Sequence, residues 1–421
     1  MVYVGGAIVF LTIIAIIMRY EVRLVLLVSG VLMAALAGDV LLAVNAFTSQ
    51  MIHSSLVPII CTVMGFAYVL KLTECDTHLI HMLTKPMAKL NKVLIPCTVI
   101  VTAATNVALP SAAGVSAAVG AILIPILMAA GVHPAMAATA VMAGTFGSVL
   151  SPGNAHTAVL TGIAQTDPMT IVAGMLPIAV TSILIGAATL TVVAFVTKEY
   201  TGYTADEGGG AIAKAGGFQV NYLKAMVPIF PLALLIIGSS LVGLFEKDIT
   251  VPQAMFAGII LAFIVSLKNP QEISKSFFNG MGAAYGDIIG IIIAGTVFTS
   301  GMAAIGLTRA LITAMEGSET VVSAAAVFGP MVVATLAGSG DTATVAFNQA
   351  ITPNAALFGM GMIELGNVAN LAGALGRTMS PVAGAAIICA SLAKVNPMEV
   401  AKRNTPGMVI AAVVLMLTLM I

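Results

Sequence analysis

Apolar windows long enough to cross a bilayer recur along most of this 421-residue chain. A transmembrane helix needs roughly 17–25 such residues, and clear examples run over 2–18, 24–44, 55–70, 169–196, 226–244, 251–267, 281–301 and 407–421. Only 8% of the residues are charged and the mean hydropathy is +1.09, whereas soluble domains carry about 25% charged residues. So little charge cannot cover a globular surface, and the solvent is therefore mostly lipid. A soluble enzyme is excluded, and so is a nucleic-acid partner, which demands a basic surface to neutralise phosphates. The first apolar stretch lacks a basic leader and a small-residue cleavage site, so it reads as a retained span. Cys61, Cys75, Cys97 and Cys389 fit no metal or CxxC spacing and read as small apolar packing.

Two apolar regions, 93–165 and 320–393, are too long for one helix and are interrupted by polar, Gly and Pro residues. The first breaks at 105–111 and 148–154, the second at 338–342 and 377–381. Irregular backbone at membrane depth is tolerated only where protein buries it or it lines a cavity. Each region therefore reads as a re-entrant hairpin followed by a broken helix. The halves also repeat: Gly147-Ser-Val-Leu-Ser151-Pro152 recurs as Gly376-Arg-Thr-Met-Ser380-Pro381, and 376 − 147 = 229. Asp167-Pro168-Met169 recurs as Asn396-Pro397-Met398 at the same offset.

The expected fold is an all-α polytopic membrane protein of two inverted repeats, with about ten transmembrane helices plus two re-entrant hairpins and broken helices. Residues 1–198 form the first repeat (hairpin 93–130, broken helix 134–165), 199–222 a cytoplasmic linker, and 223–421 the second repeat (hairpin 320–356, broken helix 358–393). The segment 71–92, with Lys71, Lys85, Lys89 and Lys92 among spaced apolar residues, reads as an amphipathic interface helix, and 304–316 as its counterpart. With both termini outside, fourteen of the seventeen Lys and Arg fall inside, as the positive-inside rule requires. Lys247 and Arg309 fall outside, and Arg377 is left in the membrane.

At each break one half-helix ends and another begins. Ser111, Ser151 and Ser380 read as N-caps, the last two with Pro152 and Pro381 at the first helical position; Ser339 or Asp341 caps the half-helix after Gly340. Four helix N-termini then face one volume and favour an anion, with carboxylate the obvious class. Arg377 is expensive at bilayer depth. It either grips a carboxylate with its planar fork or forms a structural ion pair with Asp341 or Glu364. Thr105, Asn106, Asn154, His156, Thr157, Thr342, Thr344 and Asn348 supply neutral donors and acceptors. His156 reads as a substrate donor, a proton carrier or an ordinary hydrogen-bonded histidine. Asp341 leads as the coupling-ion or proton site, with capping as its alternative; Glu364 and Asp287 are weaker. No metal site and no catalytic constellation is expected, no cofactor beyond a coupling H+ or Na+, and no ATP-binding loop.

The Asn106 hairpin tip, Ser148-Val-Leu-Ser151-Pro152-Gly-Asn154, Gly338-Ser-Gly-Asp341-Thr-Ala-Thr344 and the helix order resemble the DcuC-type anaerobic C4-dicarboxylate carriers, within a wider superfamily of inverted-repeat ion transporters. The resemblance implies uptake, efflux or exchange of succinate, fumarate, malate or a similar dianion in a bacterial inner membrane. It also implies an elevator mechanism on a homodimeric scaffold in contact with membrane lipid. The sister sodium symporters carry Ser-Asn-Thr in both hairpins; Ala104-Thr105-Asn106 and Gly340-Asp341-Thr342 stand here instead, which weighs against sodium. A carrier of gluconate, an amino acid or a short-chain fatty acid shares the same broken-helix plan and is the alternative.

Overall fold

A computed structural model describes residues 1–18, 20–54, 56–86, 93–203, 218–239, 249–315 and 318–419. All regular elements among them are helical. Seven helical stretches are long and apolar enough to cross a membrane, and six shorter apolar helices run 10–17 residues. The chain is an all-α, multi-pass membrane protein.

The first hairpin is built from helices Leu94–Ala108 and Ala112–Ala129, and the second from Glu319–Ala337 and Gly340–Ala350. The first broken helix runs Pro134–Ala143, a 3₁₀ turn at Gly147–Leu150, then Ala155–Ala164; the second runs Met362–Thr378 and Gly384–Ala393. Helix ends recur at the offset read from the motifs: Ala108 matches Ala337, Ala155–Ala164 matches Gly384–Ala393, and Pro168 matches Pro397, each 229 residues on. Two matched glycines explain the shared motif physically. A Cβ on Gly147 would lie 2.3 Å from the carbonyl oxygen of Ala103, and one on Gly376 2.1 Å from that of Met331. Only glycine lets each broken helix cross its own hairpin so closely.

The halves interlock. Helix Ala112–Ala129 packs on Gly384–Ala393 of the other half, and Gly340–Ala350 packs on Ala155–Ala164. Likewise Leu56–Thr73 packs on Val251–Ser266 and Pro270–Ala284, while Gly290–Ala304 packs on Val22–Leu36 and Val40–Met51. Hairpins and broken helices share one apolar core, and the helices around Leu56–Thr73 centre a second.

Several spans depart from the apolar-run reading. The run 24–44 divides into Val22–Leu36 and Val40–Met51, because Gly38 takes a φ of +82° and Asp39 Oδ1 accepts the Leu42 N–H at 3.2 Å, starting a new helix. The run 281–301 is instead part of a continuous stretch, Pro270–Ala284 passing through a π turn at Tyr285–Ile289 into Gly290–Ala304. The amphipathic helix is shorter than 71–92. Lys71 and Leu72 still belong to Leu56–Thr73, Glu74 turns the chain at φ +60°, and the helix that follows is Cys75–Thr84. Lys89 and Lys92 lie outside the described residues, as do Arg19, Lys214, Lys247 and Glu316.

Of the linker, 204–217 lies outside the described residues, and both flanks are fastened. The His133 N–H donates to the Glu199 carbonyl at 3.0 Å, and the Tyr203 N–H to that of Gly131 at 3.0 Å. At the other flank the Asn221 N–H donates to His78 Nδ1 at 3.1 Å, and Phe218 stacks on His81 with ring centroids 4.0 Å apart. Arg403 of the second half grips Glu199, with Nε donating to Oε2 at 2.7 Å. That hydrogen bond is the main reason the Glu199 carboxyl is held below its ordinary pKa.

Candidate functional site

Both hairpin tips and both breaks face one cavity of about 220 Å³. Ser111 comes from the first tip, Ser148, Asn154 and His156 from the first break, Asp341 from the second tip, and Arg377 from the second break. The opposite wall is apolar, made of Ile60, Val63 and Met64 on Leu56–Thr73 and Ile288 in the π turn. All the polar chemistry thus sits on the hairpins and broken helices.

Arg377 occupies the last turn of Met362–Thr378, so its head emerges where that helix breaks. Its Nη2 donates to the Thr145 carbonyl at 2.8 Å. That carbonyl is available because the first broken helix has already ended at Ala143. Nη1 is buried and has no hydrogen-bond partner among the described residues. The ion pair expected as the structural alternative is absent among them: Asp341 Oδ1 pairs with His156 Nε2 instead. His156 is 6% exposed while the Asp341 side chain is 51% exposed, so the carboxylate reaches into the cavity from a buried imidazole. Glu364 does not join the site. It is exposed in the first turn of the helix that ends near Arg377, and thirteen residues at 1.5 Å each put it about 20 Å away along the axis.

The Ser-Pro pairs do not cap as the sequence suggested. Ser111 does cap, its Oγ accepting the Gly114 N–H at 3.2 Å. After Ser151-Pro152, however, Gly153 intervenes, and Asn154 caps Ala155–Ala164 by accepting the His156 N–H at 3.0 Å. Ser380 is likewise one turn early: its Oγ accepts the Val382 N–H at 3.3 Å, and Ala383 occupies the N-cap of Gly384–Ala393 without a side-chain bond. Ser339 holds the N-cap of Gly340–Ala350, also without a side-chain bond, so neither it nor Asp341 caps by side chain.

The remaining expected residues fall behind the cavity wall. Thr105 and Thr344 are buried and donate to their own helices, at Val101 and Gly340 carbonyls. Asn106 ties the first tip to the first break: Nδ2 donates to the Leu109 carbonyl at 3.0 Å, and Oδ1 accepts the Ser148 N–H at 2.8 Å. Thr157 donates to the Ser151 carbonyl at 3.2 Å. Thr342 is buried with an unpartnered hydroxyl, and Asn348 bonds Asn370 at 2.8 Å. Sequence reasoning passed over Thr335, whose hydroxyl donates to the Gly376 carbonyl at 3.0 Å, and the cavity-lining role of Ser148. The offset carries Asn106 onto Thr335 and Arg377 onto Ser148, so both were within reach. The Thr145 carbonyl carries no side-chain signal at all. No group of three or more His, Cys, Asp or Glu that would hold a metal occurs among the described residues.

A family model described as a C4-dicarboxylate anaerobic carrier, DcuC, matches residues 6–421. An uncharacterised transporter of Haemophilus influenzae is 38% identical over 278 residues, covering 64% of this chain and 99% of the relative. The anaerobic C4-dicarboxylate transporter DcuC of Escherichia coli is 25% identical over 369 residues, 83% of this chain and 77% of that one. Among solved structures, Neisseria gonorrhoeae MtrF, described with a class of antimetabolite efflux pumps, superposes with a TM-score of 0.66 over 89% of this chain and 82% of its own. At 14% identity that likeness is one of fold alone.

Proposed function

The chain belongs to the DcuC family of C4-dicarboxylate carriers, and from that premise we propose that it is a secondary transporter moving a small organic dianion such as succinate, fumarate or malate across a bacterial inner membrane. The observation that carries this reading is Arg377 at the cavity where both tips and both breaks meet, with a buried Nη1 that has no hydrogen-bond partner among the described residues. A guanidinium held by one nitrogen on a backbone carbonyl presents the other to a carboxylate, already oriented. The cation is costly at membrane depth without such a partner.

The division of the cavity suggests how it moves. Polar groups lie on the hairpins and broken helices, while Ile60, Val63, Met64 and Ile288 offer no directional bonds. A hairpin-bearing body therefore slides against that apolar wall with its ligand contacts intact, in an elevator motion between two inverted halves. The helices around the second core serve as the scaffold of a homodimer, and both termini face the periplasm. Asp341 and His156, joined as a pair at the cavity edge, carry the coupling proton. One arginine also suits a monocarboxylate, and that single cation is what keeps the second reading alive.

Counterflow in proteoliposomes with labelled mono- and dicarboxylates decides between them. Succinate, fumarate or malate exchanging ahead of butyrate and gluconate supports the dianion carrier. Exchange confined to monocarboxylates overturns it.

A further inference from the structure

The cavity has one cationic pole and, at the position related to it by the repeat, a hydroxyl. Moving Arg377 back by 229 residues lands on Ser148, and both residues line the same space. Ser148 is 7% exposed. Its main chain is pinned from two sides: the N–H donates to Asn106 Oδ1 at 2.8 Å, and the carbonyl accepts from Asn154 Nδ2 at 2.9 Å. Those two asparagines are themselves anchored, Asn106 on the Leu109 carbonyl at 3.0 Å and Asn154 on the His156 N–H at 3.0 Å. Both backbone groups of Ser148 are thus engaged, and its hydroxyl is the polar group left over for a ligand.

A C4 dicarboxylate carries a carboxylate at each end, and in succinate and fumarate the two are equivalent. A frame whose second half repeats its first offers two related stations for them, and the structure fills one with a guanidinium and the other with Ser148. A second arginine would add another cation to a cavity lined by a single carboxylate, Asp341, and a cation in excess is expensive at membrane depth. A neutral hydroxyl donates to a carboxylate and costs less than a charged group when the site is vacant. We propose that Ser148 binds the second carboxylate of the dianion and thereby sets the preference for dianions over monoanions, with Asn106 as its positioning residue. This rests on the carboxylate-carrier reading and names the residue that makes that carrier selective.

The test compares half-saturation for succinate exchange with inhibition of that exchange by butyrate, in wild type, Ser148→Ala and Ser148→Thr. A hydrogen bond to a charged group is worth enough that Ser148→Ala should raise succinate half-saturation about tenfold or more, while butyrate inhibition stays within about twofold. Ser148→Thr, which keeps the hydroxyl, should retain the wild-type preference. Asn106→Ala should lower the same succinate-to-butyrate preference, and the Asn106→Ala/Ser148→Ala double variant should lower it no further than Ser148→Ala alone. Equal weakening of both acids by Ser148→Ala, or no weakening of succinate, overturns the proposal. If Ser148→Ala is not monodisperse on size exclusion, Ser148→Cys replaces it with the same expected loss. A wild type that exchanges monocarboxylates but not succinate defeats the dianion reading itself, and is told apart because it needs no variant.

Discussion

Position for position, the two halves of the cavity share a backbone and differ in chemistry. Where the second half carries Arg377 and Asp341, the first carries Ser148 and Ala112; where the first carries His156, the second carries Ala385. Around these the frame is matched: Gly147 and Gly376 meet carbonyl oxygens of their own hairpins at 2.3 and 2.1 Å, and Asn106 and Thr335 each tie a hairpin to its break. The packing that builds the site is duplicated, and the charged groups are not. In the proposed carrier, repetition would supply two related conformations of one frame, whereas burying charge in an apolar surrounding favours few charged groups.

The largest effect should come from removing the asymmetry. Arg377→Ala should cut exchange by about a hundredfold or more, since truncating one member of a buried charge contact costs roughly 2–5 kcal/mol. Arg377→Lys should lose most transport while the protein still folds, because lysine keeps the charge and loses the fork. Near-wild-type exchange in Arg377→Ala, measured in proteoliposomes, would make the two halves equivalent and take the arginine out of the site.

Next come the matched elements. Gly147→Ala and Gly376→Ala should each destabilise the protein, by about 1–3 kcal/mol or more for an overpacked site, and to a similar degree. Thermal unfolding in detergent reads this directly. A large loss for one and none for the other would mean that the frame is not as duplicated as its helix ends suggest.

How much of this was legible in the sequence follows the same division. The breaks, the 229-residue offset and Arg377 are written in residue types, because irregular backbone and a lone cation in an apolar run have few other uses. The position of the caps was not. A Ser-Pro pair signals a helix start, but one further residue, Gly153 or Val382, precedes the N-caps Asn154 and Ala383. The split at Gly38-Asp39 was present as a turn glycine and a capping acid, and was masked by the apolar residues on either side. The partner of Arg377 was hidden altogether, because a main-chain carbonyl exposed by a helix end leaves no mark on residue identity. Glu364 was misleading for the opposite reason: its acid suits a site, but it lies thirteen positions before Arg377 on the same helix.

A subtler contrast concerns Asp341, whose counterpart is Ala112. Asp341→Asn should alter the pH dependence of uptake more than the half-saturation for succinate. Uptake measured across an imposed pH gradient checks this, and an unchanged pH profile would return Asp341 to a structural role.

The smallest effect is expected where helix Cys75–Thr84 holds the flank of the segment 199–222. Burial, helped by nearby Lys224, lowers the pKa of His78, and burial followed by the neighbouring His78 lowers that of His81. His78 Nδ1 must stay unprotonated to accept the Asn221 N–H. The free imidazole binds its proton more readily than the docked one, so docking is intact above the ordinary histidine pKa of about 6.5 and weakens as pH falls below it. Glu74 and Asp76 oppose this shift at His78 and keep the effect modest. Proteolysis of the segment 199–222 should therefore quicken at mildly acid pH, and His78→Phe should reduce that pH dependence, His81 against Phe218 carrying the remainder.

The most direct measurement is a structure of the protein with succinate bound. One carboxylate should lie within hydrogen-bonding distance of Arg377 Nη1 and the other against Ser148, with Nη2 still on the Thr145 carbonyl. Succinate seated elsewhere, for instance in the more apolar cavity lined by Thr161, Asp167 and Leu235, with Arg377 untouched, would contradict it.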